Sequence, residues 1–264
     1  MNLHIQRWLF KLDDESDGRG VAYCDVVKHL NCYSWALKEM SKFGDKWSKR
    51  WAHEPTYVKI LEEMPELLSR FARPANTDIY ASWEVYLKAY LTQGGIIEAH
   101  PPSDSITSLT VTMLIEPDHS VRLVSCGDHI HAESAYSCWG LSFPQTSVEP
   151  KTLNEACFRI ADACKQRHIV GYFDIDFVTF IDAKSEQQVL WATDLNISYT
   201  DHVAMSQLLF YMTNGKLDAD THTFRVPVTS GEESSSRPKK SRSKSINSTT
   251  SSNDSVSILN IYID

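Results

Sequence analysis

Between Gly171 and Phe180 the chain reads GYFDIDFVTF, an apolar run of strand-forming residues interrupted at two alternate positions by Asp174 and Asp176. Side chains two apart on a strand share a face, so both carboxylates are expected on one side. The next extended segment, QVLWATDLNI, carries a second polar pair at the same spacing, Asp194 and Asn196. If the two strands form an antiparallel hairpin around DAKSEQQ, both pairs meet near one end of the sheet, giving three carboxylates and an amide in one patch. Crowded carboxylates repel unless a positive charge sits among them. An oxygen-only set without His or Cys suits Mg²⁺, which completes its octahedron with waters and phosphates. A nucleoside triphosphate with its metal is the chemistry implied; the alternative is a half-solvated sheet face whose polar residues point outward.

The 264 residues are 42% hydrophobic and 11% aromatic, enough for one sizeable core or for two lobes sharing a cleft. A formal charge of −8 leaves no broad basic surface to neutralise a phosphate backbone, so nucleic acid is not an expected partner of the folded part. Cys24, Cys32, Cys126, Cys138, Cys157 and Cys164 contain no C-x-x-C pair, which argues against both a zinc site and a disulfide scaffold and for reduced, buried thiols. The opening MNLHIQRWLFKLDD meets charge within a few residues, and no later apolar run approaches the roughly 20 residues that cross a bilayer. The expectation is no membrane association and a cytoplasmic or nuclear location.

The order of elements predicts an α+β chain with mostly antiparallel sheets. IQRWLFKL and GVAYCDVV should form a hairpin whose turn uses Gly18 and Gly20. From Asn31 to Ala72 the apolar spacing is helical, with breaks expected at Gly44, Pro55 and Pro65. SWEVYLKAYLTQGG reads as a helix closed by Gly94 and Gly95, followed by strand IIEAH and a hairpin turning at EPDHS. Thr152 and Glu155 suggest a capping box at the start of the next helix, and DHVAMSQLLFYMTNG a last one. Domains are expected over 1–95, 96–229 and 230–264. The third is a Ser-, Lys- and Arg-rich disordered tail holding the basic run Arg237 to Lys244 and a closing ILNIYID that could dock as a strand. Lys11, just ahead of a glycine turn containing Arg19, could meet phosphate, although Asp13 and Asp14 in that turn oppose it. His129 and His131 alternate at a strand end as a potential metal pair with no third ligand nearby in sequence, and His100 and His202 are less informative.

Taken in order, WLFKLDDESDGRG, GGIIEAHPP, MLIEPDHSVRLVSCGDHIH, GYFDIDFVTF and WATDLNIS resemble an ATP-grasp domain over roughly Arg7 to Gly215, of the kind carried by IQ-motif proteins. The resemblance implies two lobes with antiparallel sheets flanked by helices and ATP held between them. It implies phosphate contacts from Lys11, Gly18, Arg19 and Gly20, an inter-lobe strand with Glu98 and Ala99 framing adenine and ribose, and Mg²⁺ on Asp176, Asp194 and Asn196 with Asp174 as an auxiliary carboxylate. It also implies carboxylate-ligase chemistry if the domain is active, a germ-cell association, and calmodulin as a partner only through IQ motifs outside this chain. Asp194 stands where Glu is usual, Ser198 and Thr200 follow where a phosphate-binding Arg is frequent, and the resemblance implies that the family's first strands are expected outside this sequence. The chain thus reads as an N-terminally truncated form, either a nucleotide-binding domain or an inactive one used for protein interactions.

Overall fold

The computed structural model describes residues 2–13, 18–131, 136–227 and 259–262. The first lobe is a four-stranded antiparallel sheet in the order β3-β2-β1-β4, from β1 (Trp8–Leu12), β2 (Val21–Cys24), β3 (Arg73–Pro74) and β4 (Gly95–Ala99). Helices α1 (Val26–His29), α2 (Tyr33–Phe43), α3 (Arg50–Phe71) and α4 (Trp83–Gln93) accompany it. The second lobe is a six-stranded antiparallel sheet, β12-β7-β6-β5-β8-β9. Its strands are β5 (Ile106–Ile115), β6 (Val121–His131), β7 (Cys138–Phe143), β8 (Gly171–Ile181), β9 (Gln188–Asn196) and β12 (Leu259–Tyr262), with helices α5 (Pro150–Gln166) and α6 (Asp201–Thr213). A small hairpin, β10 (Lys216–Asp218) and β11 (Thr223–Arg225), follows α6.

Each sheet has its own core. In the first lobe Phe10, Leu12, Ala22 and Cys24 pack with Leu67, Trp83 and Tyr86 from the helices. Tyr86 is fully buried, and its hydroxyl lies 2.7 Å from the Phe10 carbonyl and 2.9 Å from the Gly20 carbonyl. One O–H thereby serves both strands that flank the glycine turn, and burial pushes the phenol well above its ordinary pKa. Tyr86→Phe should lower the unfolding free energy by about 1–2 kcal/mol, the cost of stranding a buried acceptor. Urea denaturation checks this, with an unchanged denaturant slope expected.

In the second lobe the alternation in β5 sends Leu109, Val111, Met113 and Ile115 inward against Phe173, Ile175 and Phe177 of β8. Leu153, Cys157, Ala161 and Cys164 of α5 cover them along one helical stripe. On the other face of the sheet the Ser125 and Ser206 hydroxyls meet at 2.6 Å, tying α6 to β6.

Several expectations change. The helix predicted to break at Pro55 and Pro65 runs through both as the 22-residue α3. Each proline removes one backbone donor, and the flanking helical bonds with the burial of Ala52, Thr56 and Leu67 carry the element past them. Strand β2 stops at Cys24, where GVAYCDVV was expected to continue, and the chain turns into α1 at Val26. Helix α5 is capped by Glu149, whose side chain accepts from the Thr152 N–H at 2.7 Å, in place of the Thr152–Glu155 box. β4, which begins at Gly95, pairs with β1 through Ala99 and so belongs to the first sheet. Most of the predicted tail lies outside the described residues; Leu259–Tyr262, within the closing ILNIYID, pairs with β7. Cys24, Cys32, Cys126, Cys157 and Cys164 are buried thiols and Cys138 is half-buried. Among the described residues no helix is long and apolar enough to cross a membrane.

Candidate functional site

The two sheets face one another across a cavity of about 880 Å³. Lys11, Gly18, Gly20, Glu98 and Ala99 line it from the first lobe, and Asp174, Asp176, Asp194 and Asn196 from the second. Arg19 is exposed and lies off this wall, because the turn that carries it points its side chain to solvent. Asp14 lies outside the described residues, and Asp13 is exposed.

The polar patch follows from strand register. β8 and β9 pair antiparallel with Asp174 opposite Asn196 and Asp176 opposite Asp194. Immediately beyond, the register shifts between Asp176 and Phe177, so that Phe177 faces Ala192 and Thr193 is extra. Such a bulge ends regular pairing and re-aims neighbouring side chains; here the Thr193 hydroxyl donates to the Asp176 carbonyl at 3.2 Å.

Strand β5, on the other side of β8, places Thr112 opposite Asp174 and Thr110 opposite Asp176. The Thr110 hydroxyl donates to Asp176 Oδ1 at 2.5 Å, and Asn196 Nδ2 donates to Asp176 Oδ2 at 3.3 Å. Thr110 has one hydrogen and gives it to Asp176, so His129 Nε2, at 2.6 Å, carries the N–H that reaches the threonine oxygen. Burial, then the neighbouring His202 and His131, lowers the His129 pKa to about 3, which disfavours the charged ring. Asp174 is buried and takes the Thr112 hydroxyl at 2.6 Å on one oxygen and the Thr200 hydroxyl on the other. Thr200 is also the N-cap of α6, accepting from the Val203 N–H, so Asp174 anchors that helix to the sheet beneath the cleft. Burial raises the carboxyl pKa of both Asp174 and Asp176, and Asp194 adds to the effect at Asp176.

On the opposite wall Lys11 Nζ lies 3.0 Å from Glu98 Oε1. Arg7 engages Asp25 through Nε at 2.5 Å and Nη2 at 3.0 Å, donates to the Tyr136 hydroxyl at 3.0 Å, and lies over the Tyr23 ring. Gly18 has φ +77°, and a Cβ there would stand 1.5 Å from the Tyr136 carbonyl, so the glycine turn touches the second lobe as only glycine permits. The charged lining comprises Arg7, Lys11 and Lys28 against Asp25, Glu98, Asp104, Asp174, Asp176, Asp194 and Asp201. Among the described residues this is an excess of four negative charges with histidines neutral.

That excess, and an oxygen-only donor set, fit a hard divalent cation. One hydrogen bond on each Asp176 oxygen leaves lone pairs to spare. Among the described residues no three His, Cys, Asp or Glu side chains form a metal cage alone; Mg²⁺ sites built with one or two carboxylates draw their remaining ligands from phosphate and water. His129 and His131, with ring centres 5.8 Å apart, are occupied separately, His131 Nδ1 at 3.2 Å from the Ser137 carbonyl. His100 Nδ1 approaches the Pro101 carbonyl at 3.0 Å. His202 lies 3.7 Å from Asp174, and among the described residues its buried Nε2 has no hydrogen-bond partner. Thr110, Thr112 and Arg7 carry no sequence expectation as site residues, although the alternation LTVTM held the signal for the first two; Thr200, noted from sequence only as standing where an Arg is frequent, is the residue that joins Asp174 to α6.

A family model described as IQCH-like, ATP-grasp matches residues 1–220. The chain belongs to this ATP-grasp family. It is 42% identical over 227 residues to IQ motif-containing protein H of Danio rerio, an alignment covering 86% of this chain and 21% of that protein. The chain thus spans about a fifth of the length of the curated relative it matches. Among solved structures it is similar to the biotin carboxylase domain of Hydrogenobacter thermophilus 2-oxoglutarate carboxylase in complex with MgADP, ADP and bicarbonate. That likeness has a TM-score of 0.45 and 11% identity, over 76% of this chain and 33% of the other. A second is N5-carboxyaminoimidazole synthetase from Staphylococcus aureus complexed with ADP, with a TM-score of 0.36 and 15% identity over 54% and 34% of the two chains. In this ATP-grasp chain the cleft between antiparallel sheets is where the polar residues of both lobes converge.

Proposed function

We propose that this chain is a nucleotide-binding ATP-grasp domain that takes ATP together with Mg²⁺ in the inter-lobe cleft. One observation carries the reading: the β8–β9 register brings Asp176, Asp194 and Asn196 together on a wall that faces Lys11 and Glu98 across a cavity of about 880 Å³. In this reading Asp176, Asp194 and Asn196 hold the cation, Lys11 and the turn at Gly18 and Gly20 meet phosphate, and Glu98 with Ala99 frames the nucleoside. Bound Mg²⁺ supplies charge neutralisation for the phosphates. Thr110 and Asn196 orient the Asp176 carboxylate, and Asp174 holds the start of α6 in place. Activation of a carboxylate, calmodulin association and a role in germ cells are proposed only for longer proteins that carry this domain, located in the cytoplasm or nucleus.

Two observations favour a second reading, an ATP-grasp pseudoenzyme serving as a protein-interaction module: Lys11 is already ion-paired, and Ser198 follows the metal pair where an Arg would bind phosphate. Thermal unfolding in the presence of MgATP separates the two. A ligand bound only to the native state stabilises it by about 2.7 kcal/mol at a hundredfold excess over Kd, so Tm should climb steadily with MgATP. A flat Tm up to millimolar MgATP selects the pseudoenzyme.

A further inference from the structure

The cations of the cleft are already committed. Arg7 and Lys28 both contact Asp25, Lys28 Nζ at 3.0 Å from Oδ2. Lys11, the one on which phosphate recognition depends, lies 3.0 Å from Glu98, with side chains only 23% and 17% exposed. Strand register fixes this pair: in β1 against β4, Leu9 is opposite Glu98 and Lys11 opposite Ile96, so the ammonium and carboxylate are diagonal neighbours on one face. Solvent competes weakly for partners at that depth, and the attraction is correspondingly less screened than at the surface. Asp194 bears on the same carboxylate from the opposite wall: burial and the Asp194 charge raise the Glu98 pKa, against the lowering effect of Lys11.

Resting on the nucleotide-binding reading, we propose that Glu98 is a built-in competitor for Lys11, holding its ammonium in the ligand-free chain so that a phosphate must take Lys11 from it. The exchange has a directional cost. Releasing Glu98 adds an unpaired carboxylate to a lining that already carries excess negative charge, and a bare polyphosphate adds more. An anion arriving with its divalent cation avoids both penalties, because the cation is held by Asp176 and Asp194 and offsets the freed charge. The pair therefore acts as a filter that selects metal-loaded polyphosphates over metal-free ones, and Glu98 is a positioning residue whose removal changes selectivity.

Calorimetric titration of the full chain with inorganic tripolyphosphate, with and without Mg²⁺, tests this without the nucleoside contacts that Glu98 is also assigned. MgATP serves as the reference ligand. Glu98→Gln, close in shape, is expected to bind magnesium tripolyphosphate about tenfold more tightly than the native chain and to gain binding of the metal-free anion; Lys11→Met is expected to lose both. Glu98→Ser gives the same readout should the glutamine variant melt early. Magnesium tripolyphosphate affinity that stays equal or falls in both Glu98 variants, while the native chain still binds MgATP, overturns the filter and leaves the nucleotide site standing. No binding of MgATP or magnesium tripolyphosphate by the native chain or any variant overturns the nucleotide site itself, and the filter with it.

Discussion

Gly95→Ala is expected to destabilise the chain by about 3 kcal/mol, at the upper end of what an overpacked interior position costs. A Cβ on Gly95 would stand 2.2 Å from the Lys11 carbonyl and 2.5 Å from the Tyr90 ring. Neither neighbour can yield cheaply. The Lys11 carbonyl belongs to β1, whose pairing with β4 sets Leu12 opposite Gly95 and Lys11 opposite Ile96. Tyr90 packs edge-on against Phe10, with ring centres 6.0 Å apart, inside the first core. Either β4 peels from β1 or the aromatic cluster shifts, and both routes disturb the strand that carries Glu98. Gly44→Ala is the control without a steric clash: a Cβ there meets nothing within 4 Å, and the cost comes from the backbone alone, whose φ of +50° with ψ of −124° lies outside the left-handed helical well, a strain of about 1–3 kcal/mol for a residue with a Cβ. Urea midpoints of the two variants should differ in that order, and a Gly95→Ala midpoint at or above that of Gly44→Ala would show that β4 is not held at this distance.

Much of the site was legible because it is written at period two. Asp174 and Asp176, and again Asp194 and Asn196, keep one face by spacing alone, and the hairpin around DAKSEQQ needs only one long-range assumption, that neighbouring strands pair. β8 and β9 do pair antiparallel, and their register, which spacing alone does not give, sets Asp174 opposite Asn196 and Asp176 opposite Asp194. What remained hidden depends on contacts between segments distant in the chain. Thr110 and Thr112 gain their meaning only when β5 lies beside β8, about 60 residues later, as the 66- and 62-residue separations of their hydrogen bonds express. The bulge at Thr193 leaves no mark in composition. Pro55 and Pro65 misled because local propensity favours a break, whereas the tertiary burial of the α3 face decides that element. Arg19 was assigned to the phosphate side by sequence neighbourhood, and the direction of a side chain on a turn is not fixed by neighbourhood.

Asp176→Asn should leave the ligand-free chain as stable as the parent, or more so, while removing nearly all of its stabilisation by MgATP. The two halves of this expectation have separate causes. Burial already disfavours the charged carboxylate, as the raised pKa expresses, so replacing it with a neutral amide of the same shape relieves desolvation. Against this, an amide presents two hydrogens where Thr110 and Asn196 now donate to carboxylate oxygens, a mismatch that offsets the gain in part. Metal binding has no such compensation, because the amide cannot replace the charge that a hard cation requires. Stabilisation of about 2.7 kcal/mol at a hundredfold excess of MgATP falls to about 0.4 kcal/mol if affinity drops a hundredfold. Asp194→Asn, on the more exposed strand, should show the same loss of MgATP response with little change in the ligand-free melt. Cys164→Ser, a change in the α5 stripe behind the sheet, should alter the melt and keep the response. Because the two aspartates are opposed across one register, the double variant should lose no more MgATP response than either alone; an additive loss would assign them to different ligands and separate the metal from the strand pairing that defines this cleft.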